Sequence, residues 1–207
     1  MDRIHMFWKR VVNVLEPAGD WVALVPIRLL MAYEFGNAGL RKFRASETWW
    51  GDVPGWFENS LANFPFPISL FPGSFNWFMV TWIEILGGIA LVLGLFTRFW
   101  AFSLIIVTWV AILGVHWPDD YSSLAELWKG YAVSDNGFGN YRIPLLFLVM
   151  LLPLVFRGAG KLSLDHLLAR FAESFTDYVL LMSDVNGNRN DDDRIIRDKT
   201  GFLSTYP

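Results

Sequence analysis

The sequence predicts an all-α membrane protein, a four-transmembrane-helix bundle with amphipathic surface helices at both ends of the bundle sequence. Three observations predict it. Four apolar stretches approach the roughly 20 residues that a helix needs to cross about 30 Å of hydrocarbon. Charged residues make up only 18% of the 207 and gather in clumps between those stretches, where a soluble domain carries about a quarter. Aromatic residues are abundant, with 11 Trp and 18 Phe, and such rings collect where hydrocarbon meets water.

The first 20 residues place Ile4, Phe7, Trp8, Val11, Val12 and Leu15 at helical spacing, with Arg3, Lys9 and Arg10 elsewhere around the helix. That pattern predicts a helix lying in the membrane surface. No cleavable apolar leader is visible, so the first span is expected to act as its own insertion signal. The spans are expected at about 21–40, 77–96, 99–117 and 141–156, within a membrane domain of residues 21–158. Inside lipid they must be helical, because their backbone polar groups find no water. Spans two and three are expected to be joined only by Thr97-Arg98, and Pro153 to kink the fourth.

Between spans one and two, residues 41–76 hold Trp49, Trp50, Trp56, Phe57, Phe64, Phe66, Phe71 and Phe75 among several prolines. So much aromatic surface predicts a lid folded onto the bundle or sunk into the interface. The loop from Pro118 to Asn140 is acidic. Residues 159–182 repeat the amphipathic pattern through Leu164, Leu167, Leu168, Phe171, Phe175, Tyr178, Val179 and Met182, with Ser163 as the expected N-cap. Residues 183–207 are polar and of mixed charge, which predicts a disordered tail. Asp184 to Asn190 resembles the start of a calcium loop, but Arg189 and Ile195 stand where that loop needs Gly and Glu. If the amino terminus is cytoplasmic, Arg3, Lys9, Arg10, Arg98, Arg157, Lys161 and Arg170 lie inside, against Arg41, Lys42, Arg44, Lys129 and Arg142 outside. The balance predicts both termini cytoplasmic.

Composition also excludes chemistry. With no cysteine there is no disulfide, thiolate-held cluster or thiol nucleophile. His116 and His166 are expected at opposite faces of the membrane and His5 on a surface helix, which argues against a haem held by two of them. The methionines show no paired spacing for copper, so no metal site is expected. The net charge of −3 gives no sign of nucleic-acid binding.

Ionisable residues within spans are costly, so each is a functional candidate. The candidates are Arg28, Glu34 and Glu84, joined by His116 and Arg142 at span ends. Counting about 1.5 Å per residue places Glu84 near the level of Glu34. One reading makes Arg28 with Glu84 or Glu34 an interhelical pair that sets packing. The other makes a polar pocket that binds a headgroup or exchanges protons. Gly36, Gly39, Gly87, Gly88 and Gly94 are expected to let helix backbones approach.

The run Trp82-Ile-Glu84-Ile-Leu-Gly87-Gly88, continuing through Gly94-Leu-Phe-Thr97-Arg98, resembles the signature segment of the DoxX-like membrane protein family. Arg28, the exit Gly39-Leu-Arg41-Lys42-Phe43, and Gly158-Ala-Gly160-Lys161-Leu-Ser163-Leu-Asp165 resemble it too. The resemblance covers residues 20–168 and implies a four-helix protein of the bacterial inner membrane. Its family-motif residues here are Arg28, Lys42, Glu84, Gly87, Gly88, Gly94, Thr97 and Arg98. The namesake is similar to a subunit of thiosulfate:quinone oxidoreductase, and other members accompany oxidative-stress enzymes. A branch that the sequence also resembles lies beside gene clusters for modified copper-binding peptides.

The resemblance thus implies a membrane subunit that anchors or assists a redox or stress-response complex, with a quinone or proton site near Glu84. The alternative is a non-catalytic anchor or transport factor of a metal-stress or modified-peptide pathway. Catalysis by the chain alone is not expected, and no cofactor is assigned beyond quinone. The partners expected are the lipid bilayer and a protein partner or second copy.

Overall fold

The computed structural model describes residues 2–46, 52–135 and 137–180. Trp49, Trp50, Met182, the calcium-like stretch and the tail from residue 183 lie outside the described residues. Two compact units divide the chain, residues 1–165 and 166–207. Among the described residues there are helices and turns but no strand.

The first unit contains α1 (Asp2–Val22), α2 (Val25–Ala45), α3 (Gly55–Ser60), α4 (Gly73–Leu93), α5 (Thr97–Ala111), α6 (Leu124–Lys129) and α7 (Arg142–Arg157). α5 continues into a π-helical turn, Ile112–His116. α4 and the continuous stretch Thr97–His116 are long and apolar enough to cross a membrane. α2 falls short in composition because Arg28, Glu34, Arg41, Lys42 and Arg44 interrupt it. α7 falls short in length, at 16 residues, or about 24 Å. Pro153 lies inside α7 without ending it.

The bundle is apolar on the outside as well as within. Met31, Leu91, Leu104, Leu151 and Leu154 are fully buried at the centre. Leu86, Ile89 and Val92 of α4, Phe99, Phe102 and Trp109 of α5, and Val149 and Leu152 of α7 all face outward. Apolar surface on that scale does not belong in water, and it gives the helices their membrane character.

Where lipid replaces water, helices associate through close packing rather than hydrophobic burial. The α2–α4 contact is built that way. A β-carbon at Gly88 would lie 3.0 Å from the Ala32 carbonyl oxygen and from backbone atoms of Gly36. At Gly39 it would lie 2.9 Å from the Ile85 amide nitrogen. These contacts set an antiparallel register in which Gly36 meets Gly88 and Gly39 meets Ile85.

The α4–α5 turn begins earlier than the sequence suggested. α4 stops at Leu93, and Gly94 takes the left-handed conformation at φ 65°, as a glycine after a helix end commonly does. The turn is Gly94-Leu95-Phe96, and Thr97 already belongs to α5. The Asp165 carboxylate accepts the amide hydrogens of Phe96 and Thr97 at 2.6 and 2.9 Å. It caps α5 from nearly seventy residues away, which no local pattern signals.

α1 exposes Ile4, Phe7, Trp8 and Leu15. Its carboxyl end is tied to the turn after α7 by the Lys161–Asp20 ion pair at 2.9 Å. In the second unit, residues 166–180 are helical and carry Leu167, Leu168, Phe171, Phe175 and Tyr178 as exposed side chains. The Ser163 hydroxyl donates to the Gly160 carbonyl at 2.6 Å.

Candidate functional site

Glu84 projects from α4 into the α2 interface and is 5% exposed. Its cation is Lys42, whose ammonium donates to both carboxylate oxygens at 2.8 and 2.6 Å. Arg28, the expected partner of Glu84, is elsewhere, and so is Arg142. The α2–α4 register explains the pairing. Gly39 sits at the level of Glu84 and Ile85, so Lys42 is less than one turn beyond. Helical side chains lean toward the helix amino terminus, which returns the Lys42 ammonium to the Glu84 level.

The same register separates the other candidates. Glu34 falls level with Ala90, about 9 Å along the axis from Glu84, so the two carboxylates do not share a depth. Glu34 is half-buried. Arg28 lies further still, at the Gly94 end. It donates to the Ala159 and Leu162 carbonyls at 2.8 and 2.9 Å, and a β-carbon at Gly94 would meet its guanidinium at 2.7 Å. Arg28, Gly94, Thr97 and Asp165 therefore form a latch that fastens residues 158–165 to the α4–α5 turn. Arg98 lies beside Gly158. Arg142 is exposed and stacks its guanidinium 5.4 Å from the Tyr131 ring centre.

A cavity of about 370 Å³ opens beside the Lys42–Glu84 pair. α4 and α5 are close where Gly87 packs on Leu104, and the cavity lies between them toward the other end. Met79, Val80 and Ile83 of α4 line one wall, Ile106, Val107 and Val110 of α5 another, and Phe57 and Phe64 of the lid close it. The polar lining is sparse: Lys42, Glu84, Asn76 and His116.

The lid is held by its rings. Phe57, Phe64 and Trp77 are buried together, with Phe57 5.5 Å from Phe64 and 5.0 Å from Trp77, both edge-on. Phe64 presses on Gly114 in space that any side chain there would fill. The Asn76 amide donates to the Ile68 and Phe71 carbonyls. The Trp77 indole donates to Ser46 at 3.0 Å, and Ser46 donates to the Lys42 carbonyl at 3.2 Å. The lid and the Lys42 turn are thus one hydrogen-bonded assembly. The aromatic lid was legible in composition. Asn76 carried no sequence signal, because an asparagine at the edge of a loop is ordinary.

Chemically, the arrangement is an apolar chamber with a buried, neutralised ion pair in its wall and an imidazole at one end. Its volume is at the lower end of the range for small-molecule sites.

The comparisons with known proteins agree with this architecture. The model of the DoxX family matches residues 23–117. The model described as TQO small subunit DoxD matches residues 72–185. A Haemophilus influenzae protein, described as uncharacterized, is 36% identical over 156 residues, covering 75% of this chain and 89% of that relative. No solved structure matches the chain. Matches spanning the cavity, the Lys42–Glu84 pair and the Arg28 latch leave one conclusion: the chain belongs to the DoxX-like family of membrane-associated proteins.

Proposed function

We propose that this chain is the membrane subunit of a redox complex and that the cavity beside Glu84 receives a quinone. The cavity carries the reading. It is apolar enough to take a ring from lipid, and Lys42 supplies a hydrogen-bond donor where a ring oxygen would otherwise meet only hydrocarbon. Rim residues Phe75, Met79 and Ile106 are outward-facing, so a lipid-soluble molecule enters sideways from the bilayer. The match to a model described as a TQO small subunit supports a protein partner that supplies or takes the electrons.

In this reading α2 and α7 complete a four-span bundle with α4 and α5. α2 runs antiparallel along α4 in close backbone contact, so it shares the thickness that α4 crosses. α1 and the helical residues 166–180 rest in the membrane surface on their apolar stripes. Both termini are cytoplasmic. The chain has no cysteine, so a single introduced thiol reports cleanly. Asp120→Cys reacts with an impermeant maleimide from outside the cell and His5→Cys does not; the reverse pattern overturns the orientation.

The quinone reading is tested on the purified chain. Solvent extraction of protein from a quinone-containing membrane yields quinone near one equivalent, and Glu84→Gln lowers that yield while the protein still folds. A wild-type preparation with no quinone and no affinity for added quinone rejects the reading.

A further inference from the structure

The cavity has a second polar pole at His116. Gly87 packs on Leu104, which sets Val107 level with Glu84 across the α4–α5 pair. From Val107 to His116 is about 13 Å along the axis at the helical rise. His116 closes the π-helical turn Ile112–His116, and such turns recur at functional sites.

The loop after α6 is built to hold this residue. The Asn140 side-chain oxygen lies 2.7 Å from His116 Nδ1, and the Asn140 backbone amide donates to the His116 carbonyl at 3.0 Å. Asn140 therefore grips the ring and the backbone of the same residue. Gly139, at φ 79°, lies so close to that carbonyl that no side chain fits. The Asp135 carboxylate accepts the amide hydrogens of Gly137 and Gly139 at 2.8 and 3.1 Å and fixes the approach. An amide oxygen only accepts, so Nδ1 carries the proton of the neutral ring. Nε2 is then a hydrogen-bond acceptor on a residue that lines the cavity.

We infer that His116, positioned by Asn140, is the ligand-binding group at the second pole, and that it selects the reduced form of the ring. This rests on the quinone reading above. A para-substituted ring with a hydrogen bond at each end spans about 11 Å, with ~5 Å between its oxygens and about 2.8 Å per bond. That is close to the axial distance between the Glu84 level and the His116 backbone. Lys42 donates to the oxygen at one end. Nε2 accepts from a hydroxyl at the other, and a carbonyl oxygen there offers it no hydrogen. A hydroquinone satisfies both poles, whereas a quinone satisfies one.

The test compares two probes, a decyl-substituted para-benzohydroquinone and its benzoquinone, on the full chain in lipid nanodiscs without oxygen, by calorimetry. The wild-type protein binds the hydroquinone roughly three- to tenfold more tightly, the worth of one added hydrogen bond. His116→Phe removes the preference and leaves quinone affinity in place. His116→Gln, whose side-chain oxygen also accepts from a hydroxyl, restores part of it. Asn140→Leu leaves the imidazole present but unheld and reduces the preference, so the test survives a His116→Phe protein that does not fold. Equal affinity of the wild-type protein for both probes, or a preference unchanged in Asn140→Leu and His116→Gln alike, overturns this inference alone. Failure of the wild-type protein to bind either probe rejects the quinone reading with it.

Discussion

Lys42 holds both oxygens of the Glu84 carboxylate across the α2–α4 interface, at 2.8 and 2.6 Å, with the carboxylate side chain only 6% exposed. A charge pair so placed costs desolvation on both sides, and its removal is judged by what is left behind. Glu84→Gln alone strands an ammonium and Lys42→Gln alone strands a carboxylate. Each is expected to destabilise by about 3 kcal/mol, while the double substitution recovers most of the loss. Thermal unfolding of the four detergent-solubilised proteins measures the coupling. Additive losses in the double variant contradict a direct pair.

This relationship also marks how far the sequence could be read. Glu84 stood out because a carboxylate amid Trp82, Ile83, Ile85 and Leu86 is conspicuous in any apolar run. Its partner stood out only as a residue of the family motif, because hydropathy ends the first span at Leu40 while the helix continues to Ala45. Lys42 thus looked like a flanking cation, and only the lean of helical side chains returns it to the level of Glu84. Arg28 was conspicuous as a charge in an apolar run, yet its partners are carbonyls and a carboxylate in residues 159–165. Those are reached through chain closure rather than spacing. Helix content and the apolar hairpin were legible because periodicity and length are local properties. The register of α2 on α4, which decides that Glu34 and Glu84 are not neighbours, depends on which glycines face each other.

Asp165 offers a second test. It caps α5 through two amides and lies in the electrostatic field of Arg28. Asp165→Ala removes the cap and is expected to cost about 1–2 kcal/mol. Asp165→Asn keeps one acceptor and is expected to cost less. Hydrogen exchange at the Thr97–Ala101 amides should quicken in both, in that order. Unchanged exchange in the alanine variant contradicts the cap.

The Lys161–Asp20 pair gives a pH dependence with a definite sign. The hydrogen bond from Lys161, and then its charge, hold the Asp20 carboxyl below its ordinary value, which is about 3.9. A carboxyl whose native value is lowered adds stability that is present above its unfolded value and is lost as pH falls through the native one. Because the pair is solvent-exposed, the effect is small and screened by salt. Melting curves of wild type and Asp20→Asn should differ slightly at neutral pH and low salt, and begin to converge only below about pH 4. A gap that widens on acidification contradicts the assignment.

The last prediction concerns the lid. Phe64 is buried against Phe57 and lies over Gly114 in the π turn that ends at His116. Its ring therefore serves two structures at once: it anchors residues 53–72, and it forms part of the cavity wall. Phe64→Ala removes the ring while leaving α4 and α5 packed through Gly87 and Leu104, which lie toward the far end of the hairpin. The loss is expected to be local. Truncating a buried Phe costs about 3–5 kcal/mol when the whole fold shares the site. A lid that opens independently converts much of that into faster local opening. Exchange at the amides of residues 55–63 should accelerate by an order of magnitude or more, and the midpoint of global unfolding should move little. Ligand retention should fall, because the cavity loses a wall. Phe64→Leu, which refills part of the space over Gly114, should restore much of both. If Phe64→Ala instead lowers the global midpoint and leaves exchange in 55–63 coupled to it, the lid and the bundle unfold as one unit, and the cavity is a fixed chamber rather than a covered one.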